Sequence, residues 1–246
     1  MNFRYTCPVR KSSASPEAPI VHIVDHDASV CQRLESEIRS AGWQPRTASS
    51  AEEFLAWPRT TAPNCLLLEL NLPAMNGLEL QRRVFNRMEM PIIFMSGGAD
   101  VRATVQAMKA GALEFLTKPL LGDVLLQAIQ YAIERSRAEL RHLAQSRALE
   151  QRYESLSRRE REVMNLVVAG RLNKQVGGEL GISEITVKAH RGKMMRKMDA
   201  GSLAELVRMV SRLRRSVPAQ DRDVHVPSEF ALAQQQIRAV GSYAQV

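Results

Sequence analysis

Four side chains in this 246-residue chain belong to the types that together handle a compact anion. They are the carboxylates Asp25 and Glu69, the hydroxyl Ser96 and the ammonium Lys118. Each stands at or just after the end of a short apolar run: 20–24 before Asp25, 65–70 around Glu69, 91–95 before Ser96 and 113–116 before Lys118. Transfer of a phosphoryl group to a carboxylate needs an in-line nucleophile, a divalent cation to neutralise the phosphoryl oxygens, and a cation with a hydroxyl to hold the product. This set supplies carboxylates, a hydroxyl and a lysine. His26, next to Asp25, supplies a nitrogen and no negative charge.

These residues need a scaffold that brings them together, and the patterning between them provides one. Between the runs lie amphipathic stretches, such as 29–41 and 101–110, with apolar residues three and four apart, and one further run lies near 44–47. Such alternation predicts α/β structure: a doubly wound, five-stranded parallel sheet with helices on both faces. Ligands of such sheets sit outside the carboxyl ends of the strands, so one crevice can gather all four residues.

Segment 120–153 lacks proline and has glycine only at Gly122, which predicts one long linker helix. Leu126, Ile129, Ile133, Leu140 and Leu143 follow a three-four spacing with Ser136 in the gap and Arg147 and Glu150 beyond. Two readings stand: a last helix packing on its own sheet before becoming a solvated linker, or a dimerisation seam. A second, all-α domain follows. Ser157 with Glu160 predicts a capping box, Gly181-Ile182-Ser183 a turn with a cap, and Ser202 with Glu205 another capping pair. The expected division is a flexible tail at 1–18, a sheet domain at 19–134, a helical linker at 135–153, a helical domain at 154–215, and a partly disordered tail at 216–246 with a short helix near 228–240.

The net charge of +8 is unevenly spread. Residues 135–215 carry about +10 and residues 19–134 about −3, which points to a polyanion partner for the second half alone. Cys7, Cys31 and Cys65 are too scattered for a zinc site or a disulfide framework. A cytoplasmic location without membrane contact is expected, since no signal-peptide core and no run near the ~20 apolar residues of a membrane span is found.

The strand-end residues resemble the receiver domain of two-component response regulators. VHIVDHDASV supplies Asp25, with His26 where the family has a second acid. CLLLELNLPAMNG supplies Glu69 where the family has its phosphoacceptor aspartate, FMSGG supplies Ser96, and LEFLTKPL supplies Lys118 with Pro119. Phe115 matches the aromatic that changes rotamer on activation in such domains. The resemblance implies an atypical receiver. In the family the second acid ligates magnesium, a hard ion that prefers oxygen, so no cofactor, magnesium included, is expected here. Glu69 reaches one methylene further than aspartate, and misplacement on the order of 1 Å can cost roughly 100-fold in rate. Extended towards Lys118 and Ser96, its carboxylate would occupy some of the space of an aspartyl phosphate. Permanent activation, control by a ligand or partner, and relic scaffolding remain open for Glu69; loss of charge and pH sensing remain open for His26. Asp27 is expected to cap the helix that starts near Ala28.

The stretch from LSRREREVMNLVVAG to GSLAELVRM resembles the helix-turn-helix domain of FixJ/NarL/LuxR-type regulators over nearly its whole length. From the residues alone, 173–180 reads as a short helix, 181–183 as a turn, and 184–198 as an amphipathic helix with Ile185, Val187, Met194 and Met198 facing the core. The resemblance places Lys188 and Ala189 at the base-facing start of a major-groove helix, with Arg191 and Gly192 near the other contact position. Gly192 brings no side chain there, so Arg191 or Lys193 is expected to substitute. Asn173, Lys174 and Thr186 are expected at phosphates, as are the later cations Arg196 and Lys197. His190 is expected to be packed or backbone-bonded.

The resulting expectation is a non-enzymatic, sequence-specific transcription regulator that binds double-stranded DNA as a homodimer, independently of aspartyl phosphorylation. A sensor kinase or another regulator is a further partner. The alternative is a protein-interaction module in which DNA binding is secondary.

Overall fold

A computed structural model describes residues 18–98 and 101–216 of the chain. The expected helix near 228–240 and both tails lie outside the described residues, apart from the last residues adjoining each domain. The described residues divide into two compact units, one ending at His142 and the other beginning at Leu143.

The first unit is a five-stranded parallel sheet in the order β2-β1-β3-β4-β5. Its strands are β1 (Ile20–Val24), β2 (Gln44–Ala48), β3 (Asn64–Glu69), β4 (Ile92–Ser96) and β5 (Glu114–Thr117). Between them run the helices α1 (Ala28–Ser40), α2 (Ala51–Leu55), α3 (Gly77–Arg83) and α4 (Val101–Lys109). The near-continuous apolar sequence of β3 follows from its place at the centre, where both faces are covered. Successive side chains point to opposite faces. Leu66 and Leu68 therefore join Phe54, Leu80 and Phe94 on one side, while Cys65 and Leu67 join Leu34, Ile38 and Ile93 on the other.

The second face is closed by α5 (Gly122–Glu154) through Leu125, Ile129, Ala132 and Ile133. Leu125, in place of the expected Leu126, lies in this core, and Leu140 and Leu143 are half-exposed. The packing is that of a last helix on its own sheet. Ser136 also belongs to this domain. Its hydroxyl, fully buried, donates to Glu89 O at 2.5 Å and accepts from Asn64 N at 2.9 Å, pinning α5 to the starts of β3 and β4. A boundary at 134 would cut through this contact, and the compact unit continues to His142. The second core likewise begins ahead of 154, with Leu149 and Tyr153.

That second unit comprises the end of α5, then α6 (Arg158–Val168), α7 (Asn173–Leu180), α8 (Glu184–Met198) and α9 (Leu203–Ser216). Ser157 and Glu160 form the expected capping box, and Ser183 caps α8 by accepting from Thr186 N. Between α7 and α8 the chain turns so tightly that a Cβ on Gly177 would lie 2.7 Å from Ile182 O.

Replacing Ser136 by alanine leaves the buried Asn64 N–H without its acceptor, so urea unfolding of the first unit should show a loss of about 1–3 kcal/mol. A loss below about 0.5 kcal/mol would show that the pin is not needed.

Candidate functional site

The carboxyl ends of β1, β3, β4 and β5 lie along one edge because the pairing is parallel and in register: Val24 is level with Leu68, Glu69 with Met95, and Ser96 with Thr117. Asp25 and Lys118 follow directly after their strands. At this edge Lys118 Nζ lies 2.6 Å from Asp25 Oδ2 and 2.5 Å from Glu69 Oε2. The second oxygens are also engaged: Asp27 N donates to Asp25 Oδ1 at 2.9 Å, and Asn71 N donates to Glu69 Oε1 at 3.0 Å. Both carboxylates are buried. Burial alone would lower the Lys118 pKa, but the hydrogen bonds and charges of Asp25 and Glu69 outweigh it and hold the ammonium above its ordinary value.

Ser96 does not join this cluster as expected. Its hydroxyl donates to Gly98 O at 3.1 Å and accepts from Gly98 N, so it is spent on its own loop. His26 is half-exposed, with Nδ1 3.7 Å from Asp25 Oδ1, too far for a hydrogen bond. Asp27 caps α1 through Ser29 N and Val30 N. Phe115 is half-buried and stacks on Phe94, with ring centroids 6.1 Å apart and planes 19° apart. Packing here is close: a Cβ on Gly77 would lie 2.6 Å from Glu69 O, so α3 starts against the backbone that presents Glu69.

In the second unit, α7 and α8 form the expected helix-turn-helix pair. Val187, Met194 and Met198 face inward, whereas Ile185, expected to join them, is 80% exposed. The helical period explains the difference, because Ile185 lies across the helix from those three. Lys188, Ala189, Lys193 and Arg196 are exposed on α8, and Lys174 near the start of α7. Asn173 Oδ1 accepts from Arg191 at 3.2 Å, which ties α8 to α7 and makes Arg191 a bracing residue. A Cβ on Gly192 would lie 3.9 Å from an Arg196 guanidinium nitrogen, an ordinary contact distance. His190 is half-buried, and its Nδ1 is enclosed without a hydrogen-bond partner, so it is packed and that nitrogen is not backbone-bonded.

The profile of the response regulator receiver domain matches residues 21–130, and that of the bacterial regulatory proteins of the luxR family matches 154–210. The chain is 38% identical over 190 residues to the transcriptional regulatory protein FixJ of Rhizobium meliloti, covering 77% of this chain and 93% of that one. The chain belongs to the FixJ-like response regulators. This FixJ-like regulator is also 40% identical over 215 residues to response regulator protein TodT of Pseudomonas putida, covering 87% of this chain and 95% of TodT. Response regulator StyR, of known structure, is 40% identical with a TM-score of 0.72, covering 79% of this chain and 99% of that one.

Two cations of this regulator's α8 have carboxylate partners that sequence reasoning did not assign. Lys188 pairs with Glu184 at 3.0 Å, a four-residue spacing that was open to view in the sequence. Lys197, expected at a phosphate, ties α8 to α6 in the structure: its ammonium donates to Glu160 Oε2 at 2.7 Å and to Ser155 O at 2.9 Å. Their separation of 37 residues gave no local signal. Asn71, whose N–H holds Glu69, was missed for another reason, because its contribution is backbone and any residue but proline supplies it. Among the described residues no cluster of three or more His, Cys, Asp or Glu side chains could hold a metal, and no helix is long and apolar enough to cross a membrane.

The hydrogen bond from Lys197 is the main cause that holds the Glu160 carboxyl below its ordinary value of 4.5. The unfolded chain therefore takes up this proton more readily than the folded one. The stabilisation is fully present above about pH 4.5 and is lost as pH falls through the lower folded value. Replacement of Lys197 by alanine should cost the second unit about 0.5–2 kcal/mol at neutral pH, less than a fully buried pair because the lysine is 40% exposed. Chemical denaturation should also show a flatter decline of its stability as pH falls below about 5. A full-strength fold with weaker, less salt-dependent DNA binding would return Lys197 to the phosphates.

Proposed function

We propose that this chain is a sequence-specific transcription regulator that binds double-stranded DNA as a homodimer through α8. Its receiver works without aspartyl phosphorylation, with Glu69 as a partial, built-in stand-in for the phosphoryl charge. The observation that carries this reading is the Glu69–Lys118 contact at 2.5 Å. The lysine that would hold a phosphoryl product is already satisfied by a carboxylate of the protein itself. Glu69 brings one negative charge where a phosphoryl group brings about two, so the substitution is partial.

Magnesium is not part of this reading. The Asp25 and Glu69 oxygens nearest the crevice bind an ammonium, their other oxygens accept backbone N–H groups, and His26 adds a nitrogen to a site that a hard cation would want lined with oxygen. Membership of a DNA-binding family, the exposed cations of α8 and the basic charge of the second half support the DNA partner. Exposure of the crevice rim at His26 leaves room for a sensor kinase or another regulator to touch the receiver.

Incubation with acetyl phosphate and magnesium should leave the intact mass unchanged, and a stoichiometric phosphoryl group mapped to Glu69 would overturn the reading. Untreated protein at near-physiological salt should enrich a shared two-fold motif from random duplexes. Glu69→Asp, whose shorter side chain withdraws from Lys118, should then lower affinity for that motif by at least about fivefold. Unchanged affinity and oligomeric state would remove the phosphoryl stand-in from the account.

A further inference from the structure

We infer that Ile185 is a specificity-determining residue of the DNA interface, reading the C5-methyl group of a thymine in the major groove. This inference rests on the DNA-binding reading above. A single exposed apolar side chain is ordinary on a protein surface; the placement of this one is not. Ile185 is 80% exposed, in the first turn of α8, and the buried residues Val187, Met194 and Met198 occupy the opposite side of the helix. Lys188, Ala189, Gly192 and Arg196 follow it at intervals of three, four, seven and eleven, which is one helix face. Ile185 therefore heads the same stripe that carries the base-facing positions Lys188 and Ala189.

The N-terminal residues of a recognition helix are those that reach base edges. Around Ile185 the stripe is low: Ala189 ends at its Cβ and Gly192 has no side chain. Such a floor lets the helix approach closely, with the branched side chain projecting above it. A β-branched side chain has few χ1 states to lose on binding, so its shape is set beforehand. Isoleucine can neither donate nor accept a hydrogen bond, which excludes the N7, O6, N6, O4 and N4 positions as its partners. The one apolar feature among the base edges of the major groove is the thymine methyl. Glu184, the neighbouring acid, is held by Lys188 at 3.0 Å and does not compete for that methyl.

The test uses the full chain and a duplex enriched by it from a random pool. Each thymine is replaced singly by deoxyuridine, which removes only the methyl group, and Kd is measured for the unmodified protein, Ile185→Val and Ile185→Ala. At one thymine per half-site, the unmodified protein should lose about fourfold in affinity, the factor for one buried methyl group. The same replacement should leave Ile185→Ala within about twofold, with Ile185→Val between the two. Ile185→Ala removes no buried contact, and an unchanged far-UV spectrum establishes that it folds. Equal losses in all three proteins, or no thymine whose demethylation matters, would overturn the inference while leaving DNA binding in place. A selection that returns no shared motif would instead remove the DNA-binding reading on which it rests.

Discussion

The carboxyl edge of the sheet depends on one ammonium group. Lys118 stands between two buried carboxylates, 2.6 Å from Asp25 and 2.5 Å from Glu69. Without it, two like charges would face each other across a poorly solvated crevice with no counter-charge between them. Removing one partner of a buried ion pair costs about 3–5 kcal/mol, because the charge left behind is uncompensated. The lysine is thus both a structural clamp and the group through which the chemistry of the edge is set. The backbone N–H groups of Asp27 and Asn71 complete the arrangement by fixing the carboxylate oxygens that face away from it.

The scaffold behind the clamp follows from burial. β3 is covered on both faces, and the helices of each face fill one of two apolar layers. Ser136 adds a polar anchor that holds α5 at the opposite end of the strands from Lys118. In the second unit the comparable anchor is the Lys197–Glu160 contact, which joins the end of α8 to the capping box of α6. Each domain therefore combines an apolar core, which is tolerant of detail, with long-range polar contacts that are not.

What could be read from the sequence divides along the same line. Strands, helices and caps are local, and they were legible: β1 has the expected limits, the other strands shift by about one residue, and the Ser157–Glu160 box and the Ser183 cap stand where their spacing put them. Contacts between distant segments were not legible. In sequence Lys197 is one more cation on a basic helix and Ser136 a gap in an apolar spacing; their partners, Glu160 for the first and Asn64 and Glu89 for the second, are distant in the chain. Ile185 is exposed although its apolar type suggests the core, and its angle on the helix, about 160° from that of Val187, is the sequence signal that places it outside. Ser96 failed differently: its place at the edge was right, but its hydroxyl turned to Gly98, a rotamer choice that no spacing encodes.

The Glu69 carboxylate differs from an acyl phosphate in how it ends. An acyl phosphate is a mixed anhydride that water cleaves, and its decay acts as a clock on whatever it controls. Glu69 is joined to the chain through carbon–carbon bonds, so the negative charge beside Lys118 has no half-life of its own. It appears when the polypeptide folds and disappears when the polypeptide is degraded. The supply of that charge therefore follows the number of folded molecules, which synthesis and proteolysis set.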